Sequence, residues 1–254
     1  MTKVRSETGP RLNSRPKTVA FANSKGGVGK STLALLMGLG LATRHRDASV
    51  NLIDLDPQAT SSDSLRRFCD SRFSVVSDSR NYASGSPNNE NIISHIHSQQ
   101  SRRFKKRFVV IDSPAGIEPS KSSFLFHCDV LLIPTSVSDA DIFATRRYVG
   151  KLHHLFKSHD NRQTLPPPAL IILPNLVDSR DEFNELRFAL QSERAYLGKP
   201  LYYSPAFRRA FREQRNDDNI RTIFKQAQPY TLWLTSLLPQ SHRLEKRPKE
   251  LFQL

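Results

Sequence analysis

At 254 residues, with 37% apolar residues and a mean hydropathy of -0.49, the chain has the length of one large domain or two small ones. Its longest apolar runs, ALIIL and DVLLIP, are far too short to cross a bilayer. Its two cysteines, Cys69 and Cys128, lack partners at metal-ligand spacing, which argues against a disulfide framework or an iron–sulfur site and fits a reducing cytoplasm. A formal net charge of +14 and a pI of about 10.1 point to a polyanionic partner, either nucleic acid or an acidic membrane surface.

Residues 1–16 carry Lys3, Arg5, Arg11 and Arg15 with two prolines and no apolar stretch, which reads as a flexible basic arm rather than a secretory signal. KTVAFAN (17–23) is a short strand that runs into a glycine loop, and KSTLALLMGLGLATR then predicts a helix with most apolar residues buried. ASVNLIDLD reads as a strand ending in acids, SSDSLRRFCDSRF as a helix, and the polar stretch from Ser77 to Asn91, with Gly85 and Pro87, as a surface loop. NIISHIHSQQSRRF predicts a helix leading into the strand RFVVID. DVLLIP and ALIILPN follow as buried strands, separated by the helical pattern DADIFATRRYVGKLHHLFKSH. DEFNELRFALQSERAYL predicts an amphipathic helix and PLYYSP a sixth strand; the stretch from Phe207 to Leu238 has a helical pattern. Alternation of β-rich runs with helices predicts an α/β fold: a doubly wound, mostly parallel sheet with helices on both faces. The alternation continues past Pro166-Pro167-Pro168, so 17–240 is expected to be a single domain, followed by a basic tail at 241–254.

The first chemistry lies between the first strand and first helix, in ANSKGGVGKST (22–32). Glycines there let successive backbone N–H groups approach phosphate oxygens, and the helix N-terminus adds partial positive charge. In this reading Gly26, Gly27, Val28 and Gly29 form the cradle. Lys30 reaches the β and γ phosphates, the Ser31 hydroxyl ligates Mg2+, and Thr32 is placed for the α phosphate. A standard phosphate loop has its first glycine where this chain has Ser24, followed by the additional Lys25.

KGGVGKST resembles the deviant Walker A loop of the ParA/MinD ATPases, a P-loop NTPase family. The resemblance implies that Lys25 is the lysine that reaches across an ATP-sandwich homodimer to the partner's phosphates. Three more stretches match in order. LIDLDPQAT resembles the ParA form of the next motif, implying Asp54 near the metal and Asp56 as the residue that orients the attacking water. FVVIDSPAG resembles Walker B, with Asp112 holding Mg2+ through water, and IILPN places Asn175 where the family reads the adenine edge. DPQ leans to the partition ATPases, whereas DSPAGIE leans to MinD.

The two subfamilies differ in partner: nonspecific DNA for the ParA type, a membrane for MinD. Between 180 and 225 the chain carries Arg187, Arg194, Arg208, Arg209, Arg212, Arg215, Arg221 and Lys225 as candidate DNA contacts, and Arg208, Arg212 and Arg215 have helical spacing. The rival is the tail, where Leu244, Leu251, Phe252 and Leu254 lie among basic residues, although Pro248 interrupts a helix there. His153-His154 read as surface residues. A sixteen-residue arm is too short for the operator-binding helix-turn-helix of some partition proteins. The resemblance thus implies a cytoplasmic, nucleoid-associated ATPase for plasmid or chromosome partition, released from DNA when a ParB-like centromere-binding or adaptor protein stimulates hydrolysis. A MinD-like membrane-associated factor, or a ParA-like positioner of a protein cargo, are the alternatives.

Overall fold

The computed structural model describes residues 15–57, 61, 63, 73–77, 82–83, 86–98, 104, 106–159, 166–205, 207, 218–238 and 251–254. Runs of apolar and β-branched residues form β1 (Lys17–Phe21), β2 (Ala48–Asp54), β3 (Phe73–Ser77), β6 (Lys106–Asp112), β7 (Val130–Thr135) and β8 (Ala169–Val177). Two-residue strands follow as β9 (Tyr196–Leu197), β10 (Leu201–Tyr202) and β11 (Phe252–Gln253); a separate small hairpin pairs β4 (Tyr82–Ala83) with β5 (Ser86–Pro87). Among the described residues the main sheet runs in the order β11-β9-β8-β7-β1-β6-β2-β3, with β10 also on β8. Every ladder in it is parallel except β9 with β11.

Six helices accompany the strands among the described residues: α1 (Lys30–Arg44), α2 (Asn89–Ser98), α3 (Asp139–His159), α4 (Arg180–Leu190), α5 (Asp218–Gln226) and α6 (Gln228–Ser236). The pleat sends alternate strand residues to opposite faces. Val19 and Phe21 of β1 join one core with Leu33, Leu36 and Leu41 of α1 and Trp233 and Leu234 of α6. Ala20 and Ala22 join the other, with Ile92 and Ile96 of α2, Tyr148 and Leu152 of α3, and Phe183 and Leu186 of α4. Each such buried large side chain contributes about 1.5–3 kcal/mol. Both faces are covered, and the sheet is doubly wound and mostly parallel.

This winding places the functional groups. From β1 the chain passes over α1 to β2 on one side, whereas β7 lies on the other side of β1. The carboxyl end of β1 is therefore a topological switch point, where a parallel sheet opens a crevice for a ligand.

Several predicted boundaries shift. FSVVS, read partly as the end of a helix and the start of a loop, is β3 alongside β2. The polar stretch 77–91 contains the β4–β5 hairpin, and α2 begins inside it at Asn89. DEFNELRFALQSERAYL is not one helix: α4 stops at Leu190, the chain turns, and Tyr196-Leu197 pair with Ile171-Ile172 as β9. PLYYSP shrinks to the two residues of β10. Arg15, assigned to the arm, is tied down, since its guanidinium bonds the Asp129 carboxylate and the His127 carbonyl. Residues 1–14 and 239–250, and most of SSDSLRRFCDSRF, lie outside the described residues.

Of the expected tail, residues 251–254 close the sheet edge. Phe252 and Gln253 pair antiparallel with Leu197 and Tyr196, and Leu254 N–H donates to the Ala195 carbonyl at 3.2 Å. The Phe252 ring meets Phe183 at a centroid distance of 6.2 Å and carries the Arg187 guanidinium 4.6 Å above it. Phe252→Ala is expected to cost about 1–3 kcal/mol in chemical denaturation, less than a fully enclosed phenylalanine would. Unchanged stability would show that the strand contributes nothing to the fold.

Candidate nucleotide site

The loop after β1 is held before any ligand is considered. Asn23 is fully buried: its amide donates to the Pro134 carbonyl at 2.8 Å and to the Thr145 hydroxyl at 3.0 Å, and its Oδ1 accepts from Lys25 N–H at 3.2 Å. Gly116 N–H, in the turn after β6, donates to the Ser24 carbonyl at 2.8 Å. The loop is thus tied to β7, α3 and the segment after β6. Gly29 caps α1 in the left-handed region with φ 93°, and a Cβ there would lie 2.1 Å from Asn175 Nδ2. Only glycine satisfies both conditions.

The sheet register brings the acidic residues together. Asp54 ends β2 directly beside Asp112, which ends β6, and Asp112 is level with Phe21 of β1. Both carboxylates are buried. Asp54 is satisfied by the Ser61 hydroxyl at 2.8 Å and by Asp56 N–H at 3.0 Å. Neither oxygen of Asp112 makes a hydrogen bond of good geometry to a described residue. Burial, and then the Asp54 carboxylate, push the Asp112 carboxyl up to about 7; Ser61, Ser31 and Lys30 pull it the other way. Lys30 is itself buried, which lowers its pKa, while Asp112 and Asp56 hold it up. Its Nζ donates to the Lys25 carbonyl at 2.7 Å.

An unsatisfied buried carboxylate beside a second one and a serine hydroxyl is an oxygen donor set that fits a hard divalent cation such as Mg2+. Gly26, Gly27, Val28, Gly29, Lys30, Ser31 and Thr32 stand at this same strand end. Lys25 projects from the loop, 45% exposed, with Nζ 3.7 Å from Asp141 Oδ1 at the start of α3; Ser136 Oγ donates to the other oxygen of Asp141. Asn175 arrives from the end of β8, followed by Leu176 at φ 58°, a strained value for leucine. Its amide donates to the Val28 carbonyl at 2.8 Å, so it clamps the loop backbone. That contact leaves its other N–H and its carbonyl for a base. Ser61, Asn23, Asp141 and Ser136 were not singled out from sequence; Ser61, a hydroxyl seven residues beyond Asp54, carried the only local signal.

Three of the expected DNA-contacting residues have described side chains. Arg187 and Arg194 are exposed near the β9–β11 edge, with Arg187 stacked on Phe252, whereas Lys225 is exposed on α5. Arg208, Arg209, Arg212 and Arg215 lie outside the described residues, as does the side chain of Arg221.

A family model described as the CobQ/CobB/MinD/ParA nucleotide binding domain matches residues 19–216. The maintenance of carboxysome distribution protein A of Halothiobacillus neapolitanus is 27% identical over 194 residues, covering 76% of this chain and 80% of that protein. An ATP complex of McdA from Cyanothece superposes with a TM-score of 0.61 at 15% identity, over 90% of this chain and 99% of the other. A ParA family ATPase from Chlorobium tepidum TLS has a TM-score of 0.61 at 18% identity, over 88% and 100%. At these identities the two structures speak to the fold.

Two outcomes test the geometry. Gly29→Ala should lose about 1–2 kcal/mol from left-handed strain alone, with further loss from the Asn175 collision, seen as a lower melting temperature; an unchanged melting temperature would refute the contact. Because the folded pKa of Asp112 is raised, its contribution to stability is fully present at low pH and is lost as pH climbs from the ordinary carboxylate range through about 7. Asp112→Asn should therefore raise the melting temperature at pH 8 in chelator, with a gain that shrinks steadily as pH falls towards 4. A loss of stability at pH 8 would contradict this charge balance.

Proposed function

This chain belongs to the CobQ/CobB/MinD/ParA nucleotide-binding domain family, and from that premise we propose that it is a Mg2+-dependent ATPase whose ATP-bound form pairs into a sandwich dimer and holds nonspecific DNA. The observation that carries the nucleotide-hydrolysing part of this reading is the placement of Asp54 and Asp112 in register beside buried Lys30, at the mouth of the glycine loop. Phosphate oxygens would replace the Lys25 carbonyl as acceptors for Lys30. Ser31, Asp54 and Asp112 would hold Mg2+, the last two through water, where the ion would offset charge on the transferring phosphoryl group. Asp56 would orient the water that attacks the γ phosphorus as its bond to the leaving oxygen breaks.

Lys25 would act in trans. Its pair with Asp141 is a half-exposed contact at 3.7 Å, a class that contributes only about 0–1 kcal/mol, so redirecting the amine to a second chain's phosphates costs little. Pairing two chains doubles the basic surface offered to DNA, which gives the ATP form its preference for the polymer. Hydrolysis, stimulated by a ParB-like centromere-binding or adaptor protein, would then release it. Arg187 and Lys225, both exposed, are the described residues proposed for DNA contact.

A second reading, that the cargo is a protein assembly rather than a plasmid or chromosome, is favoured by the relative named for carboxysome distribution. The membrane alternative is weaker. Leu251, Phe252 and Leu254, which an anchor would need, pack against the two cores.

Co-sedimentation with plasmid DNA in ATP, ADP or no nucleotide, over a salt series, tests the switch: binding should require ATP and fall steeply with salt, and binding indifferent to nucleotide would sink the proposal. Asp56→Ala should bind ATP normally yet turn over at least about a hundredfold more slowly; wild-type turnover would remove Asp56 from the chemistry.

A further inference from the structure

At the end of the sheet opposite the nucleotide loop lies a cleft of about 480 Å3, within the ordinary range for ligand sites. The amino end of β8 contributes Leu170 to it, the carboxyl half of α3 contributes Phe156, and β9 contributes Tyr196, giving an apolar floor. Its rim carries His153, Lys157 and Arg194, and no described lining residue has an acidic side chain. The rim is built, not loose: His153 Nε2 donates to the Arg194 carbonyl at 2.9 Å, joining α3 to the turn before β9. One wall is Gln253 and Leu254, so docking of the tail strand on β9 completes the cleft.

We propose that this cleft docks an acidic, partly apolar peptide segment of a partner protein. A cationic rim over an aromatic and aliphatic floor suits a carboxylate-bearing chain that inserts one apolar side chain. The chain's own neighbouring sequence 239–250 has the wrong sign to fill it, with Arg243, Lys246, Arg247 and Lys249 against Glu245 and Glu250. A nucleic-acid backbone would use the cations but leave the apolar floor uncovered. The site is separate from the nucleotide loop, and the inference goes beyond the ATPase reading without depending on it.

The test pans a randomised displayed hexapeptide library against the full-length chain. Enriched peptides should combine Asp or Glu with Leu, Phe or Trp. Their affinity should fall at least about tenfold for Lys157→Glu and for Arg194→Glu, each with an unchanged melting temperature, and should weaken with salt. Failure to enrich any acidic–apolar sequence would overturn the proposal. So would peptides that bind both variants as well as wild type, or displacement of the selected peptides by a short random-sequence DNA duplex, which would assign the cleft to nucleic acid.

Discussion

Two carboxylates that the sheet register forces side by side, away from water, are the constraint on which the site rests. Buried charge is costly unless it is paired. Asp54 escapes the cost through the Ser61 hydroxyl and the Asp56 N–H. Asp112 does not, and its carboxyl is pushed up to about 7. The nearest cation, Lys30, is itself buried and bonded to a loop carbonyl. The arrangement is left with a demand for positive charge between the carboxylates and for negative charge beside Lys30. A metal–nucleotide pair meets both at once.

The fold exists to hold that imbalance in place. β1, β2, β6 and β8 deliver the loop, Asp54, Asp112 and Asn175 to one end of the sheet because parallel strands share a direction. The loop is then fixed by contacts from outside it: Asn23 to Pro134 and Thr145, Gly116 to Ser24, Asn175 to Val28. α3 offers Asp141 to Lys25 near its start and His153 and Lys157 to the distal cleft in its second half.

What the sequence disclosed followed from local patterns. KSTLALLMGLGLATR and DADIFATRRYVGKLHHLFKSH form helices with the predicted bounds, because a capping glycine or an acidic first turn marks the start and the periodicity runs unbroken. The glycine loop, the two strand-ending aspartates and the α/β class were equally legible. The failures were long-range. Tyr196-Leu197 continue a helical pattern but are captured by the free edge of β8, and Phe252 joins the sheet across more than fifty residues of chain. Nothing local to Asn23 or Asp141 announces a partner more than a hundred residues away. Asn175 was found by its place in IILPN, yet its contact with Val28 depends on the loop geometry.

In the proposed function Lys25 would carry the step from a nucleotide site to a switch, since its half-exposed amine is held only by a weak pair in its own chain. Light-scattering mass of wild type and Lys25→Ala, each with Mg2+ and a slowly hydrolysed ATP analogue, tests that step most directly. The expected result is a doubling of mass for wild type and a monomer for the variant, with nucleotide binding retained in both. A variant that doubles in mass as wild type does would contradict the coupling of nucleotide occupancy to pairing.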